Sequence, residues 1–473
     1  MAEEYDLVIL GGGTGGYVAA VRAAQNGRKV AIVEKGKLGG TCLHKGCIPS
    51  KALLRSAEVF ATAKDANKYG VLIQDLKLDF QAVQSRKETI VNQLHQGVQA
   101  LMKKGKIDVY EGKGRILGPS IFSPRPGTIS VEMNDGTENM MLVPENIIIA
   151  TGSSPKSLPG LDVDGHLILD SDGALELEQL PSSILIVGGG VIGIEWASML
   201  ADFGVDVTVL EYGNTILPQA DKDIAKEATK LLKQRGIQIV TNAKIDADSL
   251  KKGEDVTVSV DVLGEKIDFT AEKMLISVGR AANVDDIGLV NTEIEIEKGY
   301  IKVNEFYQTK ESHIYAIGDV IGGLQLAHVA SHEGLIAVEH LSQNHPQRLD
   351  EQTIATCVYS RPEMASVGLT EQKARELGFR VKIGKFPFKA NGKALVYGEA
   401  EGFVKVIANA DNHDLLGVHM IGPHVTDLIS EAALAKVLDA ADFEIAEMIH
   451  PHPTLSEIIG EAALAVDGRA IHM

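Results

Sequence analysis

Two cysteines near the start of the chain, Cys42 and Cys47, are spaced so that they could form a redox-active disulfide. Pro49 is compatible with the first turn of a helix, so Cys47 is expected at the positive end of a helix dipole, where a thiolate is stabilised. Lys45 and Lys51 act in the same direction. From the spacing alone, however, the two residues could equally be buried and inert cysteines.

Two glycine turns, both spaced G-x-G-x-x-G, could bind dinucleotides. Such a turn brings backbone close to a pyrophosphate at a helix N-terminus, and an acid ending the next strand accepts hydrogen bonds from ribose. The two sets are Gly11, Gly13, Gly16 with Glu34, and Gly188, Gly190, Gly193 with Glu211. They lie in register, since 188 − 11 and 211 − 34 both equal 177. The alternative, glycines that only form tight turns, is disfavoured because each turn lies between a predicted strand and helix.

The acid of the second set indicates which nucleotide binds there. A carboxylate at Glu211 repels the 2′-phosphate of NADP, and no arginine follows in residues 212–214. We therefore expect NAD at the second site. Two dinucleotide sites need different occupants for chemistry, and FAD with NAD is the natural pair.

The elements around these turns repeat as strand, glycine turn, helix and strand. In both copies a polar hairpin follows, at Thr128–Val143 and at Val256–Phe269, and then a buried strand ending in Thr or Val before glycine. A mostly helical insertion is expected at 56–106. After about residue 346 the pattern changes to a hairpin with amphipathic helices. The predicted fold is α/β, with two Rossmann-like domains and a C-terminal α+β domain.

Charge, cysteine count and hydropathy disfavour several classes of partner and cellular location. The 473 residues carry a formal net charge of −18, which disfavours nucleic acid as a partner. Three cysteines argue against a secreted disulfide scaffold and a four-cysteine zinc site, and no metal is expected. The acidic start, Met1 to Asp6, leaves no room for a signal peptide, and no apolar run is long enough to span a bilayer. We therefore expect a cytoplasmic protein with no membrane partner.

Acidic residues concentrate near the C-terminus. Between Asp427 and Asp467 there are nine acids against Lys436 alone. This segment is either a solvated acidic face or a docking patch for a basic partner.

The cysteine segment resembles the active-site motif of the pyridine-nucleotide–disulfide oxidoreductases, and the resemblance covers essentially the whole chain. His44 and Lys45 depart from it, since the family usually has Asn and an apolar or Arg residue there. A second departure is Ala282, which replaces the usual Pro in Gly279-Arg280-Ala281-Ala282-Asn283. The matching stretches are Gly39-Gly40-Thr41-Cys42-Leu43-His44-Lys45-Gly46-Cys47-Ile48-Pro49-Ser50-Lys51, Ala150-Thr151-Gly152-Ser153, Tyr315-Ala316-Ile317-Gly318-Asp319, Ala327-His328 and His450-Pro451-His452-Pro453-Thr454-Leu455-Ser456-Glu457. Within the family the combination is most similar to the dihydrolipoamide dehydrogenases.

The resemblance implies roles for residues outside the glycine turns. Lys51 is expected beside the flavin ring, paired with Glu195, and Gly318-Asp319 at the ribityl chain of FAD. Further residues assigned to cofactor binding are Thr151, Gly152, Gly279 and Ala327. Without the family, Asp319 could be a helix N-cap and Glu195 an exposed helix residue.

The resemblance also implies a base. His452 is expected to take protons from a dithiol, with Glu457 orienting its imidazole, although most histidines are structural or at the surface. In the family the C-terminal domain reaches the site of the other subunit. This implies a homodimer in which His452 acts in trans.

From the resemblance, the expected domains are 1–150 (FAD-binding, with the insertion), 151–276 (NAD-binding), 277–345 (central, completing the FAD site) and 346–473 (interface). The reaction that the resemblance implies is attack of a dihydrolipoyl dithiol on Cys42, departure of Cys47 as a thiolate, and transfer of the electrons through flavin to NAD⁺. The expected partners are lipoyl domains and the acyltransferase core of a 2-oxo acid dehydrogenase complex. The alternatives are another FAD-dependent disulfide reductase of the family, or a flavin-binding protein whose cysteines are idle.

Overall fold

The computed structural model describes residues 2–119 and 127–473, so Met1 of the acidic N-terminal stretch lies outside the described residues. Its strands are β1 (Ala2–Leu10), β2 (Val30–Glu34), β3 (Asp108–Ile116), β4 (Ile129–Met133), β5 (Met140–Ile149), β6 (Ser153–Pro155), β7 (Ile168–Leu169), β8 (Ser183–Val187), β9 (Asp206–Leu210), β10 (Gln238–Val240), β11 (Ala243–Lys252), β12 (Val256–Val262), β13 (Glu265–Ala271), β14 (Lys273–Ile276), β15 (Arg280–Ala282), β16 (Ile296–Glu297), β17 (Tyr300–Ile301), β18 (Ile314–Ala316), β19 (Thr356–Val358), β20 (Glu363–Gly368), β21 (Val381–Pro387), β22 (Phe403–Asn409) and β23 (Leu415–Gly422).

The α-helices are α1 (Thr14–Gln25), α2 (Gly40–His44), α3 (Cys47–Lys64), α4 (Phe80–Gly105), α5 (Ser171–Ala174), α6 (Val191–Phe203), α7 (Lys222–Gln234), α8 (Ala327–Leu341), α9 (Glu371–Glu376), α10 (Gly392–Tyr397), α11 (Val425–Val437), α12 (Asp442–Glu447) and α13 (Glu457–Ala465). Short 3-10 helices cover Ala66–Tyr69, Leu289–Asn291, Gly318–Ile321, Glu351–Thr353 and Phe388–Ala390. None of the helices in the described part of the chain is long and apolar enough to cross a membrane.

The first of two compact units comprises Met1–Ala52, Gln84–Lys156 and Arg280–Leu349. Its sheet is parallel along β3, β2, β1, β5 and β18, and β4 pairs antiparallel with β3 and β5. Apolar side chains cover both faces, with Leu7 and Ile9 in one cluster and Val8 and Leu10 in the other. This is why β1 has a continuous apolar run rather than an alternating one.

The register of this sheet gathers several predicted site residues at one edge. Leu10 of β1 pairs with Val33 and with Ile149, and Ile149 pairs with Ala316. The carboxyl ends of these parallel strands therefore lie together, and Gly11 and Gly318 follow at that edge, which is where ligands bind in open α/β sheets. Strand β18 belongs to the segment 277–345, so this segment contributes directly to the first sheet.

One element of the first unit differs from the sequence expectation. A hairpin ending at Val143 and a separate buried strand from Ile147 were predicted, whereas β5 is one strand from Met140 to Ile149. Its start pairs antiparallel with β4 and its whole length runs parallel to β1. Pro144 lies within it without a break, because the fixed φ of proline is compatible with an extended strand.

The second unit comprises Leu53–Val83, Ser157–Gly279 and Asp350–Met473. It contains a parallel sheet in the order β10-β9-β8-β14-β7, a three-stranded antiparallel sheet β11-β12-β13, and an antiparallel sheet β19-β20-β23-β22-β21. Val187 of β8 pairs with Leu210 and with Ile276, so the second glycine turn also follows the carboxyl ends of parallel strands. The beginning of the helical insertion packs here, since Leu53 and Ala57 lie in the same apolar cluster as Ile194 of α6.

The C-terminal sheet of this unit is antiparallel and covered by helices. Strands β22 and β23 form the predicted hairpin, and their buried residues pack with those of α11 and α13. Cys357 lies on β19, partly buried and packed against this cluster, with its Sγ 3.9 Å from the carbonyl oxygen of Thr426.

Candidate functional site

The first glycine turn leaves no room for side chains where backbone meets backbone. Gly11 has φ +105°, and a methyl group there would lie 2.2 Å from the carbonyl oxygen of Ala150. A methyl group on Gly16 would lie 1.9 Å from the carbonyl oxygen of Gly11. Alanine at either position therefore requires the backbone to move.

The second turn repeats this geometry in its own unit. Gly188 has φ +110°, and a methyl group there would lie 2.5 Å from the carbonyl oxygen of Ser277. A methyl group on Gly193 would lie 2.0 Å from the carbonyl oxygen of Gly188. The duplication seen as a constant offset of 177 in the sequence is thus also a duplication of conformation.

The middle glycine of each turn differs from its neighbours. Gly13 and Gly190 are the N-caps of α1 and α6, and neither helix receives a side-chain cap. A methyl group on either glycine would meet nothing within 4 Å. Each turn therefore offers open space next to first-turn N–H groups that have no partner within the helix, which fits a pyrophosphate.

The two acids are held alike. Glu34 accepts the N–H groups of Gly12 and Gly36, both at 2.6 Å, and Glu211 accepts those of Gly189 and Gly213, also at 2.6 Å. A carboxylate has about four acceptor sites, so each retains sites for ribose hydroxyls. With open space at the middle glycine and an oriented carboxylate, the residues of both turns fit dinucleotides.

The cysteines lie directly against the first turn. Helix α2, which carries Cys42, begins at Gly40, and a methyl group on Gly40 would lie 2.6 Å from the Cα of Gly13. The N–H of Gly39 donates to the carbonyl oxygen of Gly12 at 2.8 Å. Helix α3 begins at Cys47, as the position of Pro49 predicts. The segment that carries the two thiols therefore lies next to the first glycine turn.

Cys42 and Cys47 are free thiols in direct contact. The hydrogen bond with Cys47 raises the pKa of Cys42, burial and the charge of Cys47 act in the same direction, and Lys51 opposes them. The raised pKa means that Cys42 keeps its proton. Cys47 lies at the N-terminus of α3, where the positive end of a helix dipole stabilises negative charge, which fits the role of a leaving thiolate.

The segment after β5 is tied to the one after β14. The Thr151 hydroxyl donates to the carbonyl oxygen of Asn283 at 2.7 Å, and the Asn283 side chain donates to that of Thr151 at 2.9 Å. Gly152, with φ +68°, accepts the N–H of Asn283. These bonds and the pairing of β6 with β15 fix the turn that follows the central strand of the first sheet.

Asp319 is the second residue of a 3-10 helix whose N-cap is Ile317, so the N-cap alternative is wrong. Its carboxylate accepts the hydroxyl of Ser153, and the Nε of Arg280 lies 3.9 Å from it and donates to Ser153 at 2.7 Å. The preceding Gly318 donates its N–H to the buried carboxylate of Glu333 at 2.6 Å.

Four of these partners were not predicted as site residues: Ser153, Arg280, Asn283 and Glu333. Ser153 stands in a stretch that carries the family resemblance, whereas Arg280 and Asn283 stand in the stretch where Ala282 departs from it. Their contacts depend on the pairing of β6 with β15, which no local pattern signals.

The remaining predicted residues lie as follows. Lys51 is half-buried on α3, close enough to Cys42 to affect its pKa. Glu195 is buried on α6 and accepts the N–H of Tyr359 at 2.9 Å, so the exposed alternative is wrong. Lys51 and Glu195 belong to different units, and their pairing stays a prediction. Ala327 is the first residue of α8, and Gly279 has φ +107° after β14.

His452 and Glu457 are in contact. The Nδ1 of His452 lies 2.8 Å from Oε1 of Glu457, whose other oxygen accepts the N–H of Thr454 at 2.8 Å. Partial burial opposes ionisation of Glu457, but the bonds from Thr454 and His452 outweigh it and lower its pKa. With the carboxylate ionised, Nδ1 carries the hydrogen, which leaves Nε2 as the basic nitrogen. The imidazole is 78% exposed in the single chain.

Most of the acids between Asp427 and Asp467 are engaged within the chain. Six of the nine bind a histidine, a lysine or a backbone N–H: Glu431, Asp442, Glu444, Glu457, Glu461 and Asp467. The segment is therefore largely structural, which weakens the interpretation as one docking patch. In the described part of the chain, no group of three or more His, Cys, Asp or Glu residues is arranged to hold a metal ion.

Comparison with known proteins gives consistent matches. Residues 5–334 match the model of the pyridine nucleotide-disulphide oxidoreductase family, and residues 354–463 match its dimerisation domain. A dihydrolipoyl dehydrogenase of Bacillus subtilis is 66% identical over 473 residues, covering 100% of both chains, and one of Zymomonas mobilis is 42% identical, also covering 100% of both. The crystal structure of LpdA from Mycobacterium tuberculosis superposes with a TM-score of 0.89 at 27% identity, covering 98% of this chain and 99% of that one.

These matches confirm the predicted α/β fold with a C-terminal dimerisation domain, and the enzyme class with FAD and NAD as cofactors. The chain belongs to the pyridine nucleotide-disulphide oxidoreductase family.

Proposed function

We propose that the protein oxidises dihydrolipoyl groups and reduces NAD⁺, as a dihydrolipoamide dehydrogenase. One observation carries the proposal: the helix that holds Cys42 is anchored on the glycine turn of the first nucleotide site, at Gly40 and Gly13. A dithiol in that position can exchange electrons with a bound flavin. The sequence identity of 66% and 42% to two dihydrolipoyl dehydrogenases, over the full length of each, supports dihydrolipoyl groups over the substrates of other family members.

The protein side of the reaction follows from thiol chemistry. In the oxidised enzyme, a dihydrolipoyl thiolate attacks Sγ of Cys42, the Cys42–Cys47 bond breaks, and Cys47 leaves as a thiolate at the N-terminus of α3. The second substrate thiol attacks the mixed disulfide, which releases the lipoyl disulfide and the Cys42 thiol. The chemistry supplied by bound FAD and NAD is the two-electron transfer that returns this dithiol to the disulfide.

The proton released by the substrate needs a base. Nε2 of His452 fits this role, since Glu457 accepts the Nδ1–H and orients the ring. The dimerisation domain that contains His452 supports a homodimer. We infer that His452 serves the dithiol of the other subunit, as the family resemblance implies.

The partners follow from the substrate. Lipoyl groups are carried by the lipoyl domains of 2-oxo acid dehydrogenase complexes, so we infer association with these domains and with the acyltransferase core. Three acids of the C-terminal segment, Asp427, Asp439 and Glu447, remain as candidates for docking a basic segment. Binding that does not weaken with added salt would contradict this docking.

The cytoplasmic location stays a prediction, which cell fractionation tests.

The discriminating assay compares NAD⁺ reduction by dihydrolipoamide with NADPH oxidation by glutathione disulfide. We expect only the first, because the Glu211 carboxylate, which is bonded to the second glycine turn at Gly189, would repel a 2′-phosphate. Faster NADPH oxidation by glutathione disulfide would instead indicate another disulfide reductase.

Three matched cysteine variants test the role of the dithiol. Cys42→Ser and Cys47→Ser should each reduce dihydrolipoamide oxidation to below roughly one thousandth of the original rate, since no disulfide can form. Cys357→Ser, which lies in the C-terminal sheet, should keep the rate within about two-fold. Retained activity in either of the first two variants would indicate a flavoprotein whose cysteines are idle.

A further inference from the structure

Two imidazoles of the first unit converge on one carbonyl beside the cysteines. Nε2 of His44 and Nδ1 of His95 each lie 2.9 Å from the carbonyl oxygen of Leu38. Because a carbonyl oxygen only accepts, the nitrogen at each contact carries the hydrogen. The two rings also meet edge to face, with centroids 5.1 Å apart.

The bond from His44 links the two ends of the short segment that contains Cys42. His44 is the last residue of α2, and its bond to Leu38 spans the seven residues from 38 to 44, a sequence separation of six. Just after Leu38, Gly39 is bonded to the first glycine turn. His95 comes from the long helix α4 and attaches this closed segment to the helical insertion.

The segment needs such a restraint. Gly39 and Gly40 both have positive φ, +107° and +58°, so the backbone before Cys42 is held in conformations that only glycine adopts easily. Glycine also loses the most conformational freedom when it is ordered, and α2 has only five residues. The two histidine bonds therefore add a side-chain restraint to the backbone bond that Gly39 makes with Gly12.

We propose that His44 and His95 form a clamp on the Leu38 carbonyl that positions Cys42 for exchange with Cys47 and with the substrate dithiol. The two histidines are positioning residues, since neither needs to touch the substrate. The inference rests on the proposed function, in that it takes Cys42 and Cys47 as the redox pair.

The charges around the clamp agree with a neutral His44 ring. Burial lowers the pKa of His44, and His95 and Lys37 act in the same direction, whereas the Leu38 carbonyl and Glu34 oppose them. A neutral His44 can donate one N–H without placing a second positive charge beside Lys37. An asparagine could supply the same N–H without titrating, which gives a conservative variant.

The test measures the thiol–disulfide equilibrium of the holoenzyme. The protein is equilibrated in buffers of defined dihydrolipoamide to lipoamide ratio, quenched with acid and alkylated, and the fraction of free Cys42 is measured by mass spectrometry. Loosening the clamp lowers the effective concentration of one thiol at the other. We expect His44→Ala and His95→Ala each to shift the equilibrium about five-fold toward the dithiol, the factor that one neutral hydrogen bond contributes.

Two further variants make the result specific. His44→Asn should restore at least half of the shift on the logarithmic scale, and His166→Asn, at an exposed loop of the other unit, should leave the equilibrium unchanged. His95→Ala is the decisive variant if His44→Ala does not fold, because alanine is well tolerated on a half-exposed helix position.

The outcomes separate the two proposals. If folded His95→Ala stays within two-fold of the original equilibrium, the clamp is wrong while the redox pair stands. If the original protein forms no Cys42–Cys47 disulfide in any buffer, the proposed function itself is wrong.

Discussion

Replacing Gly190 by alanine should separate nucleotide binding from folding. Gly190 has φ −75° and ψ −175°, which alanine adopts freely, and a methyl group there would meet no protein atom within 4 Å. Stability should therefore stay the same or rise by about 0.4–1 kcal/mol, because alanine restricts the unfolded chain. The space taken by the methyl group, however, is the space we assign to the pyrophosphate of NAD at the N-terminus of α6.

The expected loss of affinity follows from the contacts at risk. A hydrogen bond from backbone N–H to a charged phosphate is worth about 1.5–3 kcal/mol, so displacing one such contact should weaken NAD binding by roughly 10- to 150-fold. Titration calorimetry with NAD⁺ gives the dissociation constant, and thermal unfolding gives the stability. The bound flavin should be unaffected.

Two control variants test whether the effect is specific to the NAD site and separate from stability. Gly13→Ala should do the reverse, releasing FAD while NAD⁺ still binds. Gly193→Ala should destabilise the protein itself, since its methyl group would lie 2.0 Å from the carbonyl oxygen of Gly188. If Gly190→Ala binds NAD⁺ with unchanged affinity, the pyrophosphate does not lie at this turn and the assignment of the site fails.

Two further predictions concern buried titratable side chains of the second unit. Lys405, 1% exposed, binds Asp221, Asp223 and Glu371 at 2.8–3.1 Å, so Lys405→Met should lower the free energy of unfolding in urea by about 3–5 kcal/mol; a loss below about 1 kcal/mol would contradict this. His419 is buried, and burial lowers its pKa, so the unfolded chain binds a proton more readily and stability should fall as the pH drops below about 6.5. His419→Gln should show a smaller fall between pH 7 and pH 5 in the same urea titrations, and an unchanged slope would refute the assignment.

The amino-acid sequence alone determined the local features of this protein. The strand, glycine turn and helix of both nucleotide sites follow from apolar runs and glycine spacing over about 25 residues. The start of α3 at Cys47 follows from Pro49 two residues later. These features depend on neighbours in the chain, so they could be read before any packing was known.

Only the tertiary structure decided which distant side chains meet. The pairing of β6 with β15 brings Arg280 to Ser153, 127 residues away. His95 reaches the Leu38 carbonyl across 57 residues, and Glu195 is buried against the backbone of Tyr359. Six acids of the C-terminal segment were likewise assigned to partners within the chain. Hydrogen bonds act over about 3 Å in space, whereas sequence patterns report only residues that are close along the chain.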